Sequence, residues 1–243
     1  MEENSVTLDE RRRTVVCVGA CGGIGAATAQ QLSAEGYRLV LIDARSDADL
    51  APVRERCGEG SHVAFSCSIA DAEQVEAVAA EIGRAIGVVD AVVNAAGVFH
   101  FGNVGETTPE VWSRVIDVNL SGLFFLIRAL LPQMRRAPYA RVVNILSIAA
   151  LQGFANQTAY CASKWGGLGL SLALAEELRP ERIYVTTISP GAVDTALWTG
   201  TPAFDRSKML RAADVANAVS YVLRQPEHVA VEDLVIKPSA GVL

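Results

Sequence analysis

Residues 14–25 read TVVCVGACGGIG, from Thr14 to Gly25. Thr14 to Val18 form an unbroken run of β-branched and small apolar side chains, the pattern of a strand buried on both faces. Gly19, Gly22, Gly23 and Gly25 follow at once, and a helical pattern continues to Glu35. A glycine-rich turn between strand and helix lets backbone N–H groups reach a pyrophosphate at the helix N-terminus. Cys21 and Ile24 complete that turn. The spacing from Gly19 is G-x-x-x-G-x-G, not G-x-G-x-x-G, and alone it also fits a tight turn that holds nothing.

Outward from this turn, strands and helices alternate. Arg38 to Ile42 reads as a second strand ending at Asp43, 18 residues beyond Gly25. A dinucleotide-binding unit places its ribose-binding acid near that point. A carboxylate there accepts hydrogen bonds from ribose hydroxyls and repels a 2′-phosphate, so Asp43 favours NAD over NADP. Arg45 keeps the alternative open, an NADPH-dependent carbonyl reductase of the 3-oxoacyl type. Further strands are expected at His62–Ser66, Val88–Val93, Val142–Ile145, Tyr184–Ile188 and Leu234–Lys237. Helices are expected over Ala48–Cys57, from an Asp71 cap to Ile86, from Pro109 onward, after Tyr160, and over Val215–Arg224 with Asp214 as its cap. The alternation predicts an α/β fold: a Rossmann-type, doubly wound, mostly parallel seven-stranded sheet with helices on both faces. The small residues Asn94, Ala95, Ala96 and Gly97, after the fourth strand, leave room for a second ribose. Asn119 sits poorly inside a long apolar helical stretch and marks a local distortion.

A second stretch, Val142 to Lys164, reads VVNILSIAALQGFANQTAYCASK. Its strand ends at Ser147, and Tyr160 precedes Lys164 by four positions, one helical turn on a shared face. A hydroxyl, a phenol and an ammonium that converge suit proton transfer to or from a carbon-bound oxygen. A free phenol has a pKa near ~10, and lowering it by ~3 units takes ~4 kcal/mol. One cation at ~4–5 Å, at an effective dielectric of ~20, supplies roughly that much. The expectation is therefore that Lys164 lowers the pKa of Tyr160.

Composition sets the outer bounds. Of 243 residues, 51% are hydrophobic and 20% charged, with a net charge of −6. That describes one globular unit, residues 1–243, with no basic stripe for nucleic acid. Residues 1–12 read as a flexible lead-in rather than a secretory signal. The apolar run Leu120–Leu131 is interrupted by Arg128 and too short for a bilayer, so no membrane is expected. Five cysteines without metal-ligand spacing indicate reduced thiols in a cytoplasmic protein, and no metal site. His62 and His228 look incidental. The helix after Tyr160 is apolar nearly all round over Leu168–Ala175, which implies burial of both sides and a homodimer or homotetramer.

With these residues in place, the chain resembles the short-chain dehydrogenase/reductase family over about Thr14 to Pro238. Gly19, Gly23 and Gly25 match its cofactor turn, Asn94–Gly97 its N-N/A-A-G motif, and Asn119, Ser147, Tyr160 and Lys164 its tetrad. Pro190, Gly191, Val193 and Thr195 match its nicotinamide-facing loop. The resemblance implies Tyr160 as general acid/base and Lys164 as the residue holding the nicotinamide ribose. Ser147 would orient the substrate oxygen, Asn119 would hold a water beside Lys164, and Thr195 would bond the carboxamide. Ser68 stands where the family often has an aspartate facing the adenine, with Ile69 beside it. Val18 and Leu146 depart from the usual threonine and serine. The implied substrate is a small-molecule alcohol or ketone. Phe99, Phe101, Ala149, Phe154 and Trp198, with Leu151, Leu197 and Phe204, suggest an apolar or cyclic one. Residues 194–212 are the expected substrate loop.

Overall fold

The computed structural model describes residues 12–60, 62–199 and 205–241. Seven strands form one sheet: β1 (Thr14–Val18), β2 (Arg38–Asp43), β3 (Val63–Ser66), β4 (Ala91–Asn94), β5 (Ala140–Ile145), β6 (Ile183–Pro190) and β7 (Asp233–Ile236). The order is β3-β2-β1-β4-β5-β6-β7, and every pairing is parallel. The chain runs outward from β1 to β3, then returns to β4 and runs the other way. The loops leaving β1 and β4 therefore diverge and open a crevice at the carboxyl ends of the strands.

The unbroken apolar run of β1 is explained by what covers it. Val15 and Cys17 pack with α1 (Gly23–Ala34), α2 (Asp47–Arg56) and α7 (Ala212–Leu223) on one face. Val16 and Val18 pack with α3 (Ala72–Ala85), α5 (Gly122–Met134) and α6 (Thr158–Leu178) on the other. Successive side chains point to opposite faces, so a strand covered twice needs apolar residues at every position. Asp71 caps α3 as the sequence predicts, accepting from the Glu73 and Gln74 amides at 3.0 and 3.1 Å.

Asn119 does mark a distortion. α4 (Pro109–Ile116) gives way to a π-helical turn over Asp117–Ser121, and α5 follows without a break. The whole path, Pro109–Met134, is 26 residues, long and apolar enough by composition to cross a membrane and longer than the run read from sequence. It serves as a core helix here: Leu123, Leu126, Leu130 and Met134 are buried, and Arg128 pairs with Glu76 at 2.6 Å.

Three expectations need correction. Asp214 is not the cap of α7; Arg211 is, and Asp214 sits in the first turn and accepts from the Arg211 amide at 2.7 Å. β4 starts at Ala91 rather than Val88, because its ladder with β1 begins where Val15 meets Ala91. His62 is not incidental. It is buried, accepts from the Leu39 amide through Nδ1 at 3.1 Å, and meets Ser33 Oγ through Nε2 at 3.0 Å.

Candidate active site

The glycine turn is held by close contact. Gly19 has φ +75°, and a Cβ on it would lie 2.7 Å from the Ala96 nitrogen. A Cβ on Gly25 would lie 2.0 Å from the Gly19 carbonyl oxygen. Gly25 thus serves packing of α1 onto the turn and does not face the crevice. The first turn of α1 has no side-chain cap and no acidic residue. Such an end leaves N–H groups and a partial positive charge without a protein partner, which suits a phosphate.

Three hollows with shared walls follow one another across the sheet's carboxyl edge. The first is lined by Gly19, Gly22, Asp43, Arg45, Ser68, Ile69, Ala95, Ala96, Gly97 and Arg114. The second holds Cys21, Gly22, Gly23, Ile24, Arg45, Ala95–Gly97, Tyr160, Lys164 and Thr195. The third contains Ser147, Ala149, Phe154, Gln157, Tyr160, Pro190, Gly191, Val193, Thr195 and Trp198. Asn94 belongs to none of them: it is buried, and its Oδ1 accepts from the Ala96 amide at 3.2 Å, so it braces the turn from behind.

Asp43 sits at the far end of the first hollow. Its Oδ2 accepts from the Cys21 amide at 2.8 Å and its Oδ1 from the Arg45 amide at 3.0 Å. Each carboxylate oxygen has a second lone pair for a ribose hydroxyl. The exposed Arg45 guanidinium donates to the Cys21 carbonyl at 3.1 Å and stands 4.0 Å from Asp43. An uncapped cationic helix end, a backbone cradle and a carboxylate beyond it make a fit for a dinucleotide. Among the described residues, no three His, Cys, Asp or Glu side chains gather to hold a metal.

Tyr160 and Lys164 lie on one face of α6, both buried, with Lys164 Nζ 5.6 Å from the Tyr160 ring centroid. Nζ donates to the Ile145 carbonyl at 3.3 Å, so the end of β5 and α6 are tied at this point. Burial pushes Tyr160 up to about 12, and a hydrogen bond with Ser147 pulls the other way. Burial pulls Lys164 down to about 8. The direction is opposite to the lowering expected from Lys164: burial of the phenol is the largest influence on Tyr160, and the Lys164 ammonium is tied to the Ile145 carbonyl.

Asn119 Oδ1 and Lys164 Nζ both border Gly97, and the Asn119 amide already has protein partners. Oδ1 accepts from the Val98 amide at 2.8 Å, and Nδ2 donates to the Val98 carbonyl and to Ser163 Oγ at 2.9 and 3.0 Å. The π-turn aims this side chain at the loop after β4, and Ser163 is the residue before Lys164. Both Nδ2 donors are used as a brace, and Oδ1 keeps one lone pair for the expected water.

The third hollow is mostly apolar. Phe99 meets Tyr160 edge-on at 4.9 Å and Trp198 at 5.6 Å. Trp198 Nε1 donates to the Val193 carbonyl at 2.9 Å, and Arg206 clasps Asp194 and the Thr195 carbonyl. Phe99, Ala149, Phe154, Leu197 and Trp198 line it as expected. Phe101 and Leu151 do not. By Phe101 the chain has turned away towards Gly102, which pairs with Gln157, and Leu151 faces solvent. Phe204 lies outside the described residues. The sequence reading missed Gln157 and Arg114, since nothing in their spacing separates them from surface polar residues.

Comparison with known proteins agrees with this geometry. The family model for short chain dehydrogenases matches residues 13–205. An uncharacterized oxidoreductase of Staphylococcus saprophyticus is 34% identical over 229 residues, covering 93% of this chain and 97% of the relative. The D-threitol dehydrogenase of Mycolicibacterium smegmatis is 35% identical over 216 residues, 86% of this chain and 83% of the relative. Among solved structures, an alcohol dehydrogenase from the archaeon Thermococcus sibiricus, complexed with 5-hydroxy-NADP, superposes with a TM-score of 0.86. It is 29% identical and covers 94% of this chain and 97% of its own.

Proposed function

This chain belongs to the short-chain dehydrogenase/reductase family and is an NAD(P)-dependent oxidoreductase acting on CH–OH groups; from that premise we propose that it moves a hydride between NAD(H) and a secondary alcohol or ketone with an apolar or cyclic frame. One observation carries the reading. Ser147, Tyr160 and Lys164 meet where the dinucleotide cradle opens into the apolar hollow.

When bound, the dinucleotide supplies the carbon that accepts or gives up the hydride. The chain's own residues do the rest. With its pKa near 12, Tyr160 keeps its proton at pH 7 and is set to donate it to a carbonyl oxygen during reduction. Oxidation needs that proton removed first, which predicts a rate that rises with pH in this direction. Ser147 holds the substrate oxygen beside Tyr160. Lys164, still mostly charged at pH 7 with its pKa near 8, sets a cation at the ribose end of the cradle. Asn119 fixes the Val98 backbone and Ser163, and so places the helix that carries Tyr160. Gly19, Gly22, Gly23 and the first turn of α1 would hold the pyrophosphate. Ser68 and Ile69 would border the adenine, and Thr195 would bond the carboxamide.

Asp43 supports NAD. Arg45, exposed beside it, is the observation that favours the alternative NADPH-dependent reductase, and the T. sibiricus relative was solved with an NADP analogue. Five unpaired cysteines support a cytoplasmic location. Comparison of kcat/KM with NADH and NADPH tests the cofactor: NADH is expected to win by at least tenfold, and Asp43→Asn to narrow the gap. A preference for NADPH removes the role given to Asp43. Tyr160→Phe should lower kcat by on the order of 10²–10⁴ while dinucleotide binding persists. A Phe variant with intact turnover overturns the mechanism.

A further inference from the structure

Gln157 is the one amide side chain that lines the apolar hollow. It stands at the N-cap of α6 and yet makes no capping bond to the first turn. Its side chain has no hydrogen bond to any described residue, although the surrounding backbone is firmly placed. The Gln157 carbonyl accepts from the Cys161 amide at 2.8 Å, and Gln157 bridges to Gly102. The residue before it, Asn156, is held at φ +60° and accepts from the Gly102 amide at 2.8 Å. Asparagine tolerates this left-handed conformation at modest cost, and here it sets the direction in which α6 begins. Gln157 and Tyr160 both line this one hollow. A fixed backbone carrying an unused donor and acceptor is a recognition group in search of a polar partner.

We infer that Gln157 recognises a second oxygen on the substrate, on the carbon next to the reacting carbinol, and that the preferred substrates are vicinal diols and their α-hydroxy ketones on a compact apolar frame. The inference rests on the oxidoreductase reading above and narrows its substrate class. Ser147 and Tyr160 hold the reacting oxygen, and Gln157, one turn away, takes the neighbouring hydroxyl through its amide. In oxidation Tyr160 first releases its proton to solvent; the carbinol carbon then gives its hydride to the oxidised dinucleotide and the carbinol oxygen gives its proton to the Tyr160 phenolate. The product is the α-hydroxy ketone, and the second hydroxyl is unchanged. The aromatic wall of Phe99 and Trp198 covers the hydrocarbon. Gln157 is half-buried on the wall of the hollow, and a site that hydrogen-bonds a substrate hydroxyl disfavours the analogue lacking it, because the amide gives up water without gaining a partner.

The test is a ratio within one enzyme preparation. NADH or NADPH formation is followed with cyclohexane-1,2-diol and with cyclohexanol, for the wild type and for Gln157→Leu. The wild type is expected to favour the diol by at least tenfold in kcat/KM, and Gln157→Leu to bring the ratio within twofold of one. The ratio cancels any loss of folded enzyme in the variant, and Gln157→Asn should restore part of the preference. Equal use of the two alcohols by the wild type, or a diol preference that survives Gln157→Leu, overturns the inference and leaves the oxidoreductase reading standing. No turnover of either alcohol with NAD or NADP overturns the apolar or cyclic secondary-alcohol substrate proposed above, and the inference with it.

Discussion

Lys164 shows how a single side chain sets function against stability. Its ammonium is buried with one described hydrogen bond, to the Ile145 carbonyl, although it has three donors. Burial lowers its pKa from 10.5 to about 8. Below about pH 8 the folded protein carries a charge that would be better hydrated in the unfolded chain. Between about 8 and 10.5 the unfolded chain still holds a proton that the folded one has released, so this group's contribution to stability rises with pH there. Lys164→Met fills the same space without the charge. It should stabilise the ligand-free protein at pH 7 by up to about 3 kcal/mol while abolishing turnover. The gain should shrink as pH rises towards 10, as urea unfolding of both proteins at two pH values would show. A methionine variant less stable than the wild type at pH 7 would mean that burial of the amine is better compensated than its bonds suggest. The position of Lys164 was legible from sequence because the four-residue offset from Tyr160 is a property of any helix. The sign of the Tyr160 shift was not, because it depends on how much water the fold removes from both groups.

At the scale of elements, periodicity and turn chemistry carried most of the fold. Seven apolar runs gave seven strands, and glycines and Asp71 marked the turns and caps. What escaped were polar groups whose partners are distant in sequence. Arg141 sits in β5, fully buried. It donates to the carbonyls of Gln225, Pro226 and Val229 at 3.0, 2.9 and 3.1 Å, with the Tyr139 and Tyr184 rings at 5.6 and 5.5 Å. No local pattern announces a guanidinium that locks the chain after α7 onto the sheet. His62 is the second case, a side chain just before β3 that completes the hydrogen bonding of β2 and α1. It accepts from Leu39 only when neutral, and burial, with Arg12 and Arg38 nearby, holds its pKa below the usual 6.5. As pH falls from 6.5 towards that lowered value, the unfolded chain takes up a proton that the folded one refuses, and stability is lost. The wild type should therefore lose stability over this window faster than His62→Asn, whose amide oxygen can accept from Leu39 without titrating. Thermal unfolding at pH 7.0 and 5.5 measures it; parallel losses in the two proteins would show that other groups govern the acid limb.

At the scale of the molecule, the outer surface of the helices behind the site is unusually apolar. Trp112 on α4, Phe124 on α5, and Trp165 and Leu172 on α6 are 42%, 45%, 50% and 53% exposed. Soluble monomers seldom leave so many large apolar side chains open on neighbouring elements. The sequence reading expected α6 to be covered on both sides; within this chain it is covered by the sheet and along the seam where Gly166 meets Leu120, while the face carrying Trp165 and Leu172 is open. A second copy is the partner that this surface suits, since closed homo-oligomers join self-complementary patches. The arrangement ties assembly to chemistry through one helix. Tyr160 and Lys164 point inward from α6, and Trp165, the next residue, points outward. A partner packed on Trp165 and Leu172 would hold the helix in the register that keeps Lys164 Nζ at the Ile145 carbonyl. Leu172→Glu places an unpaired charge in that contact, far enough along α6 to leave the hollow intact. The wild type is expected to sediment as a dimer or tetramer at micromolar concentration and Leu172→Glu as a smaller species. The variant should also have a lower melting temperature and a kcat reduced several-fold. Dissociation with full activity would separate assembly from catalysis, and a wild type that sediments as a monomer would leave the apolar face to some other occupant.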